Sequence, residues 1–277
     1  MQPTPSTFLE IQGMNVLLMG PQGSGKTTSI TTLLQVPNLR IFCEFTEPRF
    51  DILGQEFLNN PRVHWHYTPP VAAGWATLIQ NAKQVNTMTN EALQKMTSVE
   101  GAKYVQFISL LQNCNDFVDQ HGQHHGDVMQ LGTDCVYVID GLSGINRMAR
   151  GLKVGAKVAL TQPDWGACQQ VILSFVEALT TNTKCHFVLI AHVERELDET
   201  MGGSKIMVRT LGRKLAPALP DNFSDIILTA KVGDKFFWDT ANPQADLKTG
   251  FSTLGSALPP SFVPLFHAWN ERVGKRA

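Results

Sequence analysis

The chain has 277 residues, with 23 Lys and Arg against 24 Asp and Glu, giving a formal net charge of −1. That length fits one large domain, or one domain with trimmings, and the charge balance excludes a bulk-basic nucleic-acid binder while leaving local patches open. A hydrophobic share of 43% beside a charged share of 17% excludes global disorder. The five cysteines (Cys43, Cys114, Cys135, Cys168, Cys185) form no CxxC pair, so they read as buried free thiols of a reducing compartment. The first residues, MQPTPSTFLE, lack the basic head and apolar stretch of a signal peptide. No segment approaches the ~20 apolar residues of a membrane span. The expectation is a soluble, cytoplasmic chain.

In chain order, MNVLLM (14–19) predicts a strand ending at Gly20, and Lys26 to Gln35 a helix stopping near Pro37. LRIFCEF (39–45) and VHWHYT (63–68) predict two more strands. Pro69-Pro70 then leads into a helical stretch over 72–85, and 85–102 is polar and weakly periodic, a loop or a surface helix. Tyr104 to Val118 has helical spacing, and HGQHHGD (121–127) is a turn-rich break. CVYVID (135–140) and HFVLIA (186–191) are almost continuous apolar strands, with a helix from Trp165 to Leu179 between them. SDIILTA (224–230) and KFFWDT (235–240) predict a closing hairpin around Val232-Gly233-Asp234. The Pro-, Gly- and Ser-rich stretch after Ala241 gives no assignable element. Strands that alternate with helices and are apolar throughout predict an α/β protein with a parallel sheet buried on both faces.

Gly20-Pro21-Gln22-Gly23-Ser24-Gly25-Lys26-Thr27, followed by Thr28, matches GxxxxGK[ST] between a strand and a helix. Glycines let successive backbone N–H groups turn inward on phosphate oxygens. The following helix presents its positive end to the same anion. Lys26 is then placed for the β- and γ-phosphates and the Thr27 hydroxyl for Mg²⁺. Asp140, at the C-terminal end of its apolar strand, suits the second Mg²⁺ contact. In a parallel sheet the ligand lies at those strand ends, where Gly20 and Asp140 meet. Hydrolysis also needs a carboxylate to orient water, and Glu47, just beyond IFCEF, is preferred over Glu44 inside the apolar run. His192, at the tip of HFVLIA, is placed to hydrogen-bond the γ-phosphate.

Basic residues gather after two of these strands. Arg147, Arg150, Lys153 and Lys157 follow Asp140, and Lys205, Arg209, Arg213 and Lys214 follow His192, both in acid-free stretches with glycines. Two mobile basic loops on one face suit a phosphodiester backbone, although neither carries a clear stacking aromatic. His121, His124 and His125 have no Cys or acidic partner at a convincing ligand spacing and read as a polar loop.

GPQGSGKTT (20–28), Thr46-Glu47-Pro48, VYVIDGLSG (136–144) and LIAHVE (189–194) occur in the order seen in RecA-type ATPases. Over roughly residues 12–240 the chain resembles the compact RecA-core ATPases of bacteriophages, some of which anneal or recombine single strands. The resemblance implies a P-loop NTPase fold with a RecA-like, mainly parallel central sheet flanked by helices and a closing β-hairpin near the C-terminal end. It divides the chain into a segment 1–11, an ATPase core 12–240 and a tail 241–277. It implies ATP and Mg²⁺ held by Lys26, Thr27 and Asp140, water aligned by Glu47, γ-phosphate sensed by His192, and single-stranded DNA on the loops after Asp140 and His192. It also implies a homo-oligomeric ring or filament with a cation supplied in trans, for which Lys231, Lys235, Arg209 and Arg213 are the candidates. The chain departs from the recombinases in carrying His192 where they often carry Gln. It also shows no separate oligomerisation or DNA-binding domain, so annealing or an accessory ATPase role fits better than strand exchange. Two other classes stay open: a P-loop kinase with 201–214 as its lid, and an NTP-gated assembly or packaging module with slow turnover.

Overall fold

The computed structural model describes residues 12–197, 202–212 and 214–274. Its strands are β1 (Asn15–Gly20), β2 (Arg40–Phe45), β3 (Val63–Tyr67), β4 (Cys135–Asp140), β5 (His186–Leu197), β6 (Ser204–Val208), β7 (Asp225–Val232) and β8 (Lys235–Asp239). They form one sheet in the order β3-β2-β4-β5-β1-β7-β8, with β6 paired to β5. From β3 to β7 the pairings are all parallel. β8 closes the far edge antiparallel to β7, and β6 pairs antiparallel with the outer half of β5. The α/β class, the parallel sheet and the closing hairpin are those the sequence predicts.

The helices are α1 (Lys26–Ser29), α2 (Gly54–Leu58), α3 (Trp75–Thr87), α4 (Asn90–Gln94), α5 (Gln106–Asn115), α6 (Leu142–Val154), α7 (Gln162–Asn182), α8 (Leu215–Ala218) and α9 (Val263–Gly274). Alternate side chains of each central strand enter opposite cores, as the pleat requires. Leu17, Phe42, Tyr137, Ile139, Phe187 and Leu189 pack under α5, α6 and α7. Val16, Leu18, Cys43, Val138, Val188 and Ile190 pack under α1, the 3₁₀ segment Ile30–Gln35 and α9. Both faces are therefore dry, which is why these strands read as unbroken apolar runs. All five cysteines are buried and free.

Several boundaries differ from expectation, each for a local reason. Only Lys26–Ser29 is α-helical, and Ile30–Gln35 tightens into 3₁₀. α7 begins at Gln162, ahead of the expected Trp165, because Thr161 and Asp164 close a capping box with Pro163 in the first turn. The basic stretch after Asp140, expected as a mobile loop, is α6, whose Leu142, Ile145, Met148 and Ala149 are buried against the sheet and α7. The basic stretch after His192 is largely β6 and its turn. Residues 241–274 fold back onto the core. The buried Asp225 Oδ1 accepts from the backbone N–H groups of Gly250, Phe251 and Ser252 at 3.0, 2.9 and 2.8 Å, and Phe262, Leu265, Phe266 and Trp269 complete one core. Among the described residues no helix is long and apolar enough to cross a membrane.

Candidate functional site

The C-terminal ends of β1, β2, β4 and β5 surround a cleft of about 630 Å³. Its floor is the glycine-rich turn between β1 and α1. Gly23 and Gly25 take positive φ (71° and 83°), the conformation that turns backbone N–H groups inward. Gly20 leaves room for the Thr229 hydroxyl, which meets Ser24 Oγ at 2.5 Å and ties the turn to β7. The Lys26 ammonium lies across the turn and donates to the carbonyls of Gly20 (2.9 Å) and Pro21 (2.7 Å). Its burial lowers its pKa to about 8 against the opposing pull of Asp140 and Glu47. Gln22 to Thr28 all line the cleft.

Thr27 and Asp140 meet across the sheet, the Thr27 hydroxyl donating to Asp140 Oδ2 at 2.7 Å. Burial pushes the Asp140 carboxyl up to about 6, and the Glu47 charge adds to that. A hydroxyl and a desolvated carboxylate converging in this way are the hard oxygen donors that Mg²⁺ takes beside phosphate, so these residues fit the metal that the motif implies.

Glu47 is set beside Asp140 by Thr46. The buried Thr46 hydroxyl donates to the Gly141 carbonyl at 2.5 Å and accepts from the Gly141 N–H at 3.1 Å, while the Thr46 N–H donates to the Asp140 carbonyl at 2.9 Å. The ends of β2 and β4 are thereby locked together. Gly141 and Gly144 are small because Glu47 and Thr46 occupy the space that their side chains would fill. Glu47 Oε2 faces His192 Nε2 at 3.6 Å, and Glu47 Oε1 is buried without a partner among the described residues. The adjacent His192 imidazole holds the Glu47 carboxyl below its ordinary range in spite of burial, with Ser143 and the Arg147 charge assisting. The result is an ionised carboxylate with one acceptor oxygen to spare. Glu44, the alternative, points away from the cleft. It is fully buried and bound to Thr68 Oγ1 (2.6 Å), Asn113 Nδ2 (2.7 Å) and His66 Nδ1 (3.1 Å).

Lys26, Thr27, Glu47, Asp140 and His192 thus share one cleft with the glycine turn. The basic residues do not act as one group. Arg147 lines the nucleotide-sized cleft rather than an outer loop. Arg150 and Lys153 are exposed on α6, but Lys157 is buried and paired with Asp164 at 3.0 Å. Lys205 is paired with Asp246. Arg209 is exposed, and its N–H donates to the His192 carbonyl at 2.8 Å. Lys214 is exposed before α8, and Arg213 lies outside the described residues. Lys231 and Lys235 are exposed on the closing hairpin, where Lys231 stands over the Phe236 ring at 5.3 Å. Phe236 itself packs on the open side of Gly25.

Sequence reasoning missed Thr46 and Arg147 as parts of this site. Thr46 carries a readable signal, a polar residue directly after an apolar strand and before the preferred carboxylate. Arg147 is legible only once 142–154 is seen as helix, which turns this residue back toward the strand ends.

A parallel α/β sheet with this turn after β1, a Lys-Thr at the start of α1 and Asp140 at the end of β4 defines a P-loop nucleotide-binding protein. A family model described as an AAA domain matches residues 12–249, and the chain belongs to that family. Membership makes it, in general kind, a P-loop ATPase. No curated protein matches the sequence.

Proposed function

We propose that the chain is a RecA-like ATPase of bacteriophage type that hydrolyses ATP on single-stranded DNA during annealing, recombination or replication. The observation that carries the hydrolytic part is the Glu47–His192 pair, held by Thr46 beside Thr27 and Asp140 in one cleft. The order of its motifs supports the RecA-like assignment, and the exposed Arg150, Lys153, Arg209 and Lys214 support the DNA part.

In this reading the backbone of residues 20–28 and the Lys26 ammonium bind and orient the phosphates. Lys26 releases the Gly20 and Pro21 carbonyls to do so. Thr27 and Asp140 would hold Mg²⁺, which would supply charge neutralisation for the phosphates. Glu47 Oε1 accepts a proton of the attacking water and aligns it, and His192 keeps the carboxylate ionised and turned toward the cleft. His192 also connects the cleft to the basic face, because its carbonyl receives the Arg209 N–H. Loss of the γ-phosphate is thereby transmitted to the β5–β6 segment. A homo-oligomer supplies the remaining cation in trans, from Lys231, Lys235, Arg209 or Arg213.

ATP turnover with and without single-stranded DNA, at low and moderate salt, tests the reading. Strong stimulation that fades with salt is expected. A rate indifferent to DNA, with no DNA bound at low salt, refutes the DNA part. Phosphoryl transfer to a nucleoside without DNA would mark a kinase, and ATP-dependent assembly without appreciable turnover would mark an NTP-gated module.

A further inference from the structure

The turn-rich 121–127 stretch has its acidic partner after all, two residues before it, and a second histidine from the sheet. His64 on β3 directs Nδ1 at Asp119 Oδ2 from 3.1 Å, and His125 directs Nε2 at the same oxygen from 2.9 Å. All three donor atoms lie within 4.8 Å of one another. They are well sheltered, with side-chain exposures of 16% for His64, 9% for His125 and 1% for Asp119. We propose that His64, Asp119 and His125 form a binding site for a zinc-type divalent cation, separate from the nucleotide cleft.

Three features argue for it. The first is spacing. Ligands 2.0–2.1 Å from a tetrahedral zinc stand about 3.3 Å apart, so each observed N–O separation is within about 0.4 Å of that edge. The second is orientation. Asp119 Oδ1 is engaged by the N–H groups of His121 (2.9 Å) and Gln123 (3.0 Å), which leaves Oδ2 to face the two rings. The third is support from the surroundings. Phe42 stacks on His64 at 4.9 Å and meets His125 edge-on at 5.2 Å, which fixes both rings.

Two imidazoles and one carboxylate select zinc or its first-row neighbours over Mg²⁺ and Ca²⁺. Water would complete the coordination. The cation would pin the 116–127 loop to the edge of the sheet. Gln120 already works at that edge, its Oε1 accepting from the Trp65 N–H at 2.8 Å and its Nε2 donating to the Val63 carbonyl at 3.2 Å. The site lies toward the N-terminal end of β3, whereas the nucleotide cleft lies at the C-terminal end, where Tyr67 lines it. The proposal is therefore independent of the ATPase reading.

The test strips the full chain with a chelator, fills the nucleotide site with Mg²⁺ and titrates Zn²⁺. One equivalent should bind the wild type and raise its melting temperature. That equivalent should be lost in His64→Gln and in His125→Gln and retained in His124→Gln. X-ray absorption of the zinc-loaded wild type reads the ligands without any substitution and should show two imidazole nitrogens in the first shell. No zinc uptake by the wild type would leave two ordinary N–H···O bonds and overturn the proposal. So would a first shell without two imidazoles, or undiminished uptake by either Gln variant.

Discussion

Thr46→Val replaces a hydroxyl by a methyl of the same shape in a fully buried position, so it opens no cavity. It removes the bond to the Gly141 carbonyl (2.5 Å) and the bond from the Gly141 N–H (3.1 Å). Gly141 is buried, and water does not replace either partner. An unsatisfied buried backbone group costs about 1–3 kcal/mol. Two such groups, partly relaxed, put the loss at about 2–4 kcal/mol, or roughly 4–16 °C in melting temperature for a chain of this size. Turnover should fall further than stability alone explains, because Glu47 is the next residue and a misplacement of about 1 Å costs on the order of 10²-fold. Thr46→Ser keeps the hydroxyl and should stay near wild type in both. Calorimetry and steady-state ATPase kinetics on the three proteins decide it. A Thr46→Val protein that melts and turns over like Thr46→Ser would refute the claim that Thr46 locks β2 to β4 and positions Glu47.

Other perturbations follow from the same contacts. Gly144→Ala drives a Cβ into the carbonyl oxygen of Thr46, a backbone obstacle, and should destabilise by about 2–3 kcal/mol. Combined with Thr46→Val the two losses should not add, because both act on one junction, and chemical denaturation of the double variant checks this. His186 is buried and neutral, accepting from the Met14 N–H at 3.1 Å, and burial lowers its pKa from 6.5 to about 4. Between those values the unfolded chain binds the extra proton, so the stability tied to neutral His186 is complete above pH 6.5 and is lost as pH falls toward 4. The loss should reach about 3 kcal/mol. His186→Leu should be less stable at pH 7.5 but lack that part of the acid slope, and urea titrations across the range would show whether the slope persists.

The centre of the sheet was legible because β1, β2, β4 and the first half of β5 are buried on both faces and so carry unbroken apolar runs. The cleft was legible because phosphate binding demands glycines, Lys26 and Thr27 in one contiguous stretch. α6 was obscured by its basic residues and Gly151, although Leu142, Ile145, Met148, Ala149 and Leu152 keep a helical period. β6 had no such period to offer, since it exists by pairing with the outer half of β5. The closing segment was illegible because Asp225 fixes it across the chain rather than by local turn chemistry. His64 and Asp119 stand 55 positions apart, so only the fold brings them to His125.

Hydrolysis at this site turns on Glu47 as the residue that aligns water. Nucleotide affinity and single-turnover hydrolysis, measured on wild type, Lys26→Ala and Glu47→Gln with Mg²⁺, test it most directly. Lys26→Ala should lose tight ATP binding, because it removes a phosphate ligand. Glu47→Gln should bind ATP as wild type does and hydrolyse it at least about 10²-fold more slowly, the usual worth of a positioned base. Hydrolysis by Glu47→Gln at the wild-type rate would contradict the account and move the aligning role to another group in the cleft.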